Sequence, residues 1–366
     1  MKTETVAHSF GRIHSIDALR GITLLGIFLV HMAGMFGFTS YQCALSNIGQ
    51  MMTLSISMLL SNRCAPVFSM LFGVSFFLIL RKPSYTSLKF VWRCILLIAI
   101  GLFNKLFYTY DALMWYGIWG ICLLLFRYAS PKILLISAIC FRLVALLLAP
   151  YHIGDQLFSS HAECDRYSIE NSLNTIVSYP LLESIKDYLR VVFNGGIFGT
   201  FSYFLLGYWF ALKGFISNVE KHAHMKNVTA FGIMYVLLYV LFYFTRISAL
   251  RSLGNVFGAL FMAIMFLYVY YKFPSSFKFL ESYGKLGLTN YTIQSLFGVV
   301  SMSLFIIPNG WDMLAILSYF LLFYLFQCIF SYYWLRYFTN GPLEWLWRCA
   351  TNRKFTSPLK LTTFYK

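Results

Sequence analysis

The residues best suited to chemistry sit in one run, Ile13 to Phe38, which reads IHSIDALRGITLLGIFLVHMAGMFGF. Asp17 and Arg20 open it, and His31 follows after an apolar stretch. Arg20 and His31 are eleven residues apart, which at about 100° per residue is about three whole turns. Both therefore point the same way, about 16 Å apart along the axis, and Asp17 lies within roughly 40° of that line. One face carries a carboxylate and a guanidinium at one mouth and an imidazole about halfway through a hydrocarbon core of about 30 Å. Ionisable groups at such depth are costly and mark function. Imidazole titrates near neutral pH and serves as general base or transient acyl carrier, while a guanidinium grips anionic oxygens. Bland alternatives stay open: an i,i+3 ion pair at a helix end for Asp17 and Arg20, and a neutral histidine bonded to a neighbouring helix for His31. Ser15 is placed to cap this helix, with Asp17 in its first turn near the positive end of the dipole.

The elements that position these groups must be membrane helices. Of 366 residues, 59% are hydrophobic, 20% aromatic and only 11% charged, and the apolar runs are long enough to cross a bilayer. The sequence predicts an all-α polytopic bundle of about ten transmembrane helices, near 16–38, 64–80, 90–108, 111–127, 132–150, 190–212, 228–246, 252–271, 286–306 and 313–334. It reads as a single integral membrane domain over 1–366, with a cytoplasmic tail at 1–15, a long periplasmic loop at 151–187 and a basic cytoplasmic tail at 335–366. The net charge of +16 falls mostly in alternate loops, which places both termini in the cytoplasm. No basic stripe with interleaved surface aromatics is present, so nucleic acid is excluded as a partner. The first run lacks a small-residue cleavage site and is a retained helix. Met51 to Leu60 is apolar but short, and reads as re-entrant or interfacial.

Further candidates lie along the chain. Asn104, Lys105 and Asp111 crowd a short turn in GLFNKLFYTYDALMWYG and point to an outward-facing polar site. Arg142, in AICFRLVAL, is buried in lipid and needs a carboxylate, phosphate or carbonyls; a structural salt bridge and a substrate contact are both open. Asn290 and Gln294, at i and i+4 in GKLGLTNYTIQSLF, make a polar stripe aimed at other helices. Gly195, Gly196 and Gly199 in NGGIFGTFSYFLLGYWF loosen the sixth span or admit a neighbour. The loop at 151–187 is acidic and long enough to be a lid or acceptor-binding element. His161, Glu163, Cys164 and Asp165 are too nearly adjacent to converge on one tetrahedral ion, so no metal is expected. The eight cysteines form no CxxC pair; Cys43 and Cys164 alone are clearly assigned to outer loops, and in an oxidising periplasm they are the candidate pair. In the C-terminal GPLEWLWR, Trp345 and Trp347 suit the headgroup region and Glu344 is spaced to pair with Arg348.

RIHSIDALRGITLLGIFLV, FSMLFGVSF, the GLFNKLFYTYDALMWYG turn, GKLGLTNYTIQS and WLRYFTNGPLEWLWR together resemble the YeiB-like family of bacterial inner-membrane proteins, in its order from end to end. That family has no settled function and is similar to a branch of the transmembrane acyltransferase superfamily. Acyltransferase-3 members share an arginine, ten residues and a histidine in the first span, a spacing that Arg20 and His31 fit. The resemblance carries two departures: the YeiB-like pattern has asparagine where this chain has His31 and histidine where it has Asn104. The second basic signature of the acyltransferase-3 branch, an RxxR on the cytoplasmic side before the third span, is also absent, since Arg93 stands alone there.

The resemblance implies an acyltransferase that takes an acyl group from cytoplasmic acyl-CoA, a co-substrate and not a bound cofactor, to an envelope glycan or lipid acceptor. His31, Asp17, Asn104 and Asp111 are then the catalytic candidates, and Arg20, Arg142, Asn290 and Gln294 the substrate-binding ones, with membrane lipids as further partners. The rival reading is a transporter or lipid flippase that uses Asp17, Arg20, His31, Arg142 and a glycine-broken sixth span as relay and gate.

Overall fold

A computed structural model of the chain describes residues 13–35, 62–82, 85–105, 111–148, 196–216, 218–301 and 313–359, with a few isolated positions between 51 and 60 and at 304. Cys43, Cys164 and the loop at 151–187 lie outside the described residues. Those described are helical, with no strand beyond one bridge between Phe338 and Leu359. In order they are α1 (His14–Met35), α2 (Cys64–Leu80), α3 (Ser87–Lys105), α4 (Leu113–Leu123), α5 (Pro131–Leu148), α6 (Gly196–Leu212), α7 (Val219–His222), α8 (Met225–Thr245), α9 (Ser248–Lys272), α10 (Lys278–Lys285), α11 (Gly287–Ser301), α12 (Met313–Tyr337) and α13 (Pro342–Asn352).

Six of these, α1, α3, α5, α8, α9 and α12, are long and apolar enough to cross a membrane, and the chain is an all-helical membrane protein. Helices α2, α4 and α6 are equally apolar but shorter. The expected run at 286–306 is helical as α11 from Gly287, and the separate short helix α10 ends just before it at Lys285. Part of the expected tail at 335–366 is also helical, as α13.

Helix α1 is the axis of the bundle. Its apolar window is 72% buried, against 6% for α8 and 11% for α5, whose apolar faces look outward. Two close approaches fix the packing. At Gly284 of α10 an added Cβ would strike the carbonyl of Asp17, and at Gly21 of α1 it would strike that of Leu280. Between α2 and α6, Gly73 lies on the carbonyl of Phe204 and Gly207 on that of Met70. Small residues let backbones meet where lipid gives no hydrophobic drive to associate. Helix α6 is unbroken from Gly196 to Leu212; Gly199 and Gly207 admit neighbours and do not interrupt it.

A side chain at Gly73 or Gly207 must therefore push α2 and α6 apart. Gly73→Val and Gly207→Val are each expected to cost about 1–3 kcal/mol or more, while the exposed Gly196→Ala is neutral or slightly stabilising. Thermal unfolding of the purified protein in detergent reads the difference, and equal melting of all three would contradict this packing.

Candidate functional site

At the N-terminal mouth of α1 the expected pair is formed: Arg20 Nη1 donates to Asp17 Oδ1 at 2.9 Å, and Nη2 donates to Ser75 Oγ of α2 at 3.4 Å. Asp17 is the more buried partner, its side chain 9% exposed against 25% for Arg20. Ser15 does not cap the helix. It lies inside α1, which begins at His14, and its hydroxyl meets that of Tyr271 at 3.0 Å. His14 and Tyr270 both reach Glu281, at 2.9 and 2.8 Å, so this mouth is a compact polar layer.

Farther along α1, His31 lines a cavity of about 10 Å³ with Phe28, Met32, Tyr291, Gln294 and Ser295, room for roughly one water molecule. The Tyr291 ring stands edge-on to the imidazole with centroids 6.2 Å apart. Behind the wall, fully buried Asn104 donates from Nδ2 to Ser295 Oγ at 3.2 Å and to Asp111 Oδ1 at 2.8 Å. Its Oδ1 has no partner among the described residues. A continuous chain thus runs from Asp111 through Asn104 to Ser295 and the cavity that holds His31. Asp111 is itself tied to the fold: Oδ2 accepts the backbone N–H groups of Leu113 and Met114 at 2.9 and 3.3 Å and so caps α4. The Tyr291 hydroxyl accepts the N–H of Ala112 at 3.2 Å, locking the same turn onto α11.

The stripe predicted on α11 is present, and its two members part company. Gln294 donates to the hydroxyl of buried Tyr283 at 2.5 Å and lines the His31 cavity. Asn290 donates to the Tyr283 carbonyl and to Ser331 Oγ, each at 3.0 Å, bracing α11 against α10 and α12 and away from the cavity lining. Arg142 also stands apart. It donates to the Gly199 carbonyl at 3.0 Å and stacks over Tyr203 at 4.1 Å, so carbonyl and ring take the place of the carboxylate of a salt bridge.

Ser295 and Tyr283 are site residues that the sequence pattern did not single out. The signal was available, since Ser295 follows Tyr291 by four positions and Gly287 by eight, one helix stripe. Glu344 was assigned the wrong partner. It does not pair with Arg348: Oε1 accepts the N–H groups of Leu288 and Thr289 at 2.7 and 3.0 Å, and Oε2 accepts the Thr289 hydroxyl. In return Thr289 Oγ1 accepts the N–H of Leu343 at 3.1 Å. The N-termini of α11 and α13 cap one another, each supplying the acceptor that the other's orphan donors require. Gly341 permits this, because a Cβ there would meet Glu344 Oε2 and Thr289 Oγ1. Trp347 is likewise docked, donating to the Arg93 carbonyl at 2.9 Å beneath the Arg93 guanidinium.

A family described as "Protein of unknown function (DUF418)" matches residues 210–354. An uncharacterized 39.9 kDa protein in the amylase 3′ region of Bacillus acidopullulyticus is 27% identical over 359 residues, covering 95% of this chain and 96% of that protein. Uncharacterized protein YxaH of Bacillus subtilis is 27% identical over 389 residues, covering 93% and 94%. Uncharacterized protein YeiB of Escherichia coli is 35% identical over 106 residues, 28% of this chain and 27% of that one. No solved structure matches. The chain is thus similar to uncharacterized proteins that include YeiB, in keeping with the YeiB-like resemblance of its motifs. The family match spans the Thr289–Glu344 junction, while His31, Asn104 and Asp111 fall before it.

Desolvation pushes the Glu344 carboxyl above its ordinary value, against the pull of its hydrogen bonds from Thr289 and Leu288. A neutral amide that keeps one acceptor is thus a mild change. Glu344→Ala is expected to cost about 1–3 kcal/mol by orphaning buried donors, Glu344→Gln less, and the exposed Arg348→Ala under about 0.5 kcal/mol. Thermal melting of the three variants checks the order, and a loss for Arg348→Ala equal to that for Glu344→Ala would restore the i,i+4 pair.

Proposed function

We propose that this protein is a transmembrane acyltransferase that carries an acyl group from cytoplasmic acyl-CoA to an envelope glycan or lipid acceptor. The observation that supports it is the hydrogen-bonded chain Asp111, Asn104, Ser295 ending on the wall of the His31 cavity. In this reading the chain makes ten passes through a bacterial inner membrane with both termini in the cytoplasm, the shorter apolar helices and α11 completing the count. Arg20, oriented by Asp17, then faces the cytoplasmic donor, and His31 lies about 16 Å away along the same stripe.

The chemistry assigns one proton and one bond exchange. His31 takes the proton from an acceptor hydroxyl or amine as that atom attacks the thioester carbonyl. The new bond to the acyl carbon forms, the carbon–sulfur bond breaks, and the departing CoA thiolate takes the proton that His31 holds. Asn104 and Ser295 act as positioning residues, with Asp111 fixing Asn104. A cavity of about 10 Å³ holds no acyl group, so the closed arrangement must open for substrate. From Gly196 to Leu212 the helix α6 is continuous, which lends the transporter reading no support there, while Gly195 lies outside the described residues.

Arg20→Ala is expected to weaken acyl-CoA binding by about tenfold or more, and more than His31→Ala does, since charge-assisted contacts to phosphate belong to the guanidinium. Calorimetry on the purified protein measures this, and unchanged affinity in Arg20→Ala would remove the donor assignment.

His31→Ala should abolish transfer, and the double exchange His31→Asn with Asn104→His should restore more activity than either single change. The reason is that residues sharing a network couple non-additively, and the double exchange rebuilds the family's arrangement. A double-mutant cycle showing simple additivity would separate the two positions.

A further inference from the structure

Outside the His31 site, two arginines lie against a group of tyrosines. Arg63, at the N-terminus of α2, is 5% exposed. It donates from Nη2 to the Tyr235 hydroxyl at 2.6 Å and lies 5.1 and 5.3 Å from the ring centroids of Tyr235 and Tyr239. Arg142 of α5 stacks over Tyr203 of α6, and Tyr203 lies within electrostatic range of Tyr239 and Arg63. Tyr239 in turn donates to Asn255 Oδ1 at 2.6 Å. Gly258 lets the Tyr235 ring and Arg63 pack closely on α9, since a Cβ there would sit 3.0 Å from the ring and 3.4 Å from Arg63 Nε.

The cluster has a defined level. Arg142 is six residues before the end of α5, Tyr203 seven after the start of α6, Tyr239 six before the end of α8 and Asn255 seven after the start of α9. At 1.5 Å per residue each lies about 9–10 Å inside the helix ends. All four ends are on the side away from the N-terminal mouth of α1, because successive helices alternate in direction. Cys64, next to Arg63, packs on Gly26 of α1, and Gly26 and His31 are about 140° apart around that helix. The cluster is therefore a separate place from the His31 cavity.

Its surroundings are apolar and outward-facing. Ile139 and Leu143 flank Arg142 on α5, and Val236 and Val240 alternate with the tyrosines on α8, all exposed. Among the described residues no carboxylate pairs with Arg142. Two guanidiniums and tyrosine hydroxyls about 9–10 Å below an interface, reached between exposed apolar helices, fit a molecule with an anionic phosphodiester head and hydrocarbon tails.

We infer that Arg63 and Arg142, with Tyr203, Tyr235 and Tyr239, form a binding site for the phosphate of an anionic phospholipid that enters sideways between α5 and α8 from the far leaflet. The site is independent of the acyl-transfer reading, and a binding measurement without turnover tests it alone.

Full-length protein in detergent is titrated with short-chain phosphatidylglycerol, short-chain phosphatidylcholine and glycerol phosphate. Phosphatidylglycerol is expected to bind, and the other two at least about tenfold more weakly. Arg63→Gln and Arg142→Gln should each weaken phosphatidylglycerol by about tenfold, the loss of a charge-assisted hydrogen bond. The exposed Arg251→Gln on the same side should not. Equal binding of the two lipids, tight binding of the headgroup alone, or the same loss from Arg251→Gln overturns the site. A wild-type measurement covers the case in which the arginine variants fail to fold. A photoactivatable phosphatidylglycerol should label α5, α6 and α8 near Arg142, Tyr203 and Tyr239, and labelling spread evenly over all exposed helices overturns the proposal.

Discussion

In hydrocarbon there is no water to complete a hydrogen bond, so each polar side chain inside the bundle must find a protein partner or pay several kcal/mol. That constraint governs most of what holds these helices in register. Asn290 is bracketed by the Tyr283 carbonyl and Ser331, Gln294 by the Tyr283 hydroxyl, and Asp111 by two amide N–H groups and Asn104. Apolar packing brings α1, α10, α11 and α12 together, but it is indifferent to small rotations. The polar contacts are not, and they select one rotation for each helix.

The same constraint separates residues that merely settle their own bonds from those left with capacity. Asn290 commits its amide donor to Tyr283 and Ser331. Asn104 keeps one buried oxygen without a partner among the described residues, one contact behind the cavity wall. Asp111 is divided, half cap and half hydrogen-bond acceptor, which makes it a fixed post and not a mobile acid. In the proposed reaction the proton transfer thus falls to His31, with the others determining where its surroundings stand.

Much of this was legible in the sequence because its causes are periodic. Apolar run length gives the helical membrane class, and the eleven-residue interval gives the shared face of Arg20 and His31. The i,i+4 spacing of Asn290 and Gln294 gives a common stripe and a common neighbour in Tyr283. What could not be read were contacts set by helix pairing. Glu344 lies within i+4 of Arg348, so local spacing suggests an ion pair; its partners are 55 and 56 residues away. Trp347 has the composition of an interface anchor yet is spent on Arg93. The glycines of α6 read equally as breaks or as contact points, and only the path of α2 distinguishes the two.

The reciprocal caps at Thr289 and Glu344 also make the end of the chain a lever. Ser295 lies six residues beyond Thr289 on α11, about 9 Å along a rigid rod, and it carries the wall of the cavity opposite His31. Helix α13 is pinned at one end to that rod and along its flank to α3 through Trp92 and Trp347, and α3 is the helix that carries Asn104. A force on α13 at the membrane surface is thereby delivered to both sides of the Asn104–Ser295 bond at once, so the C-terminal segment is geared to the tightness of a cavity that it never touches.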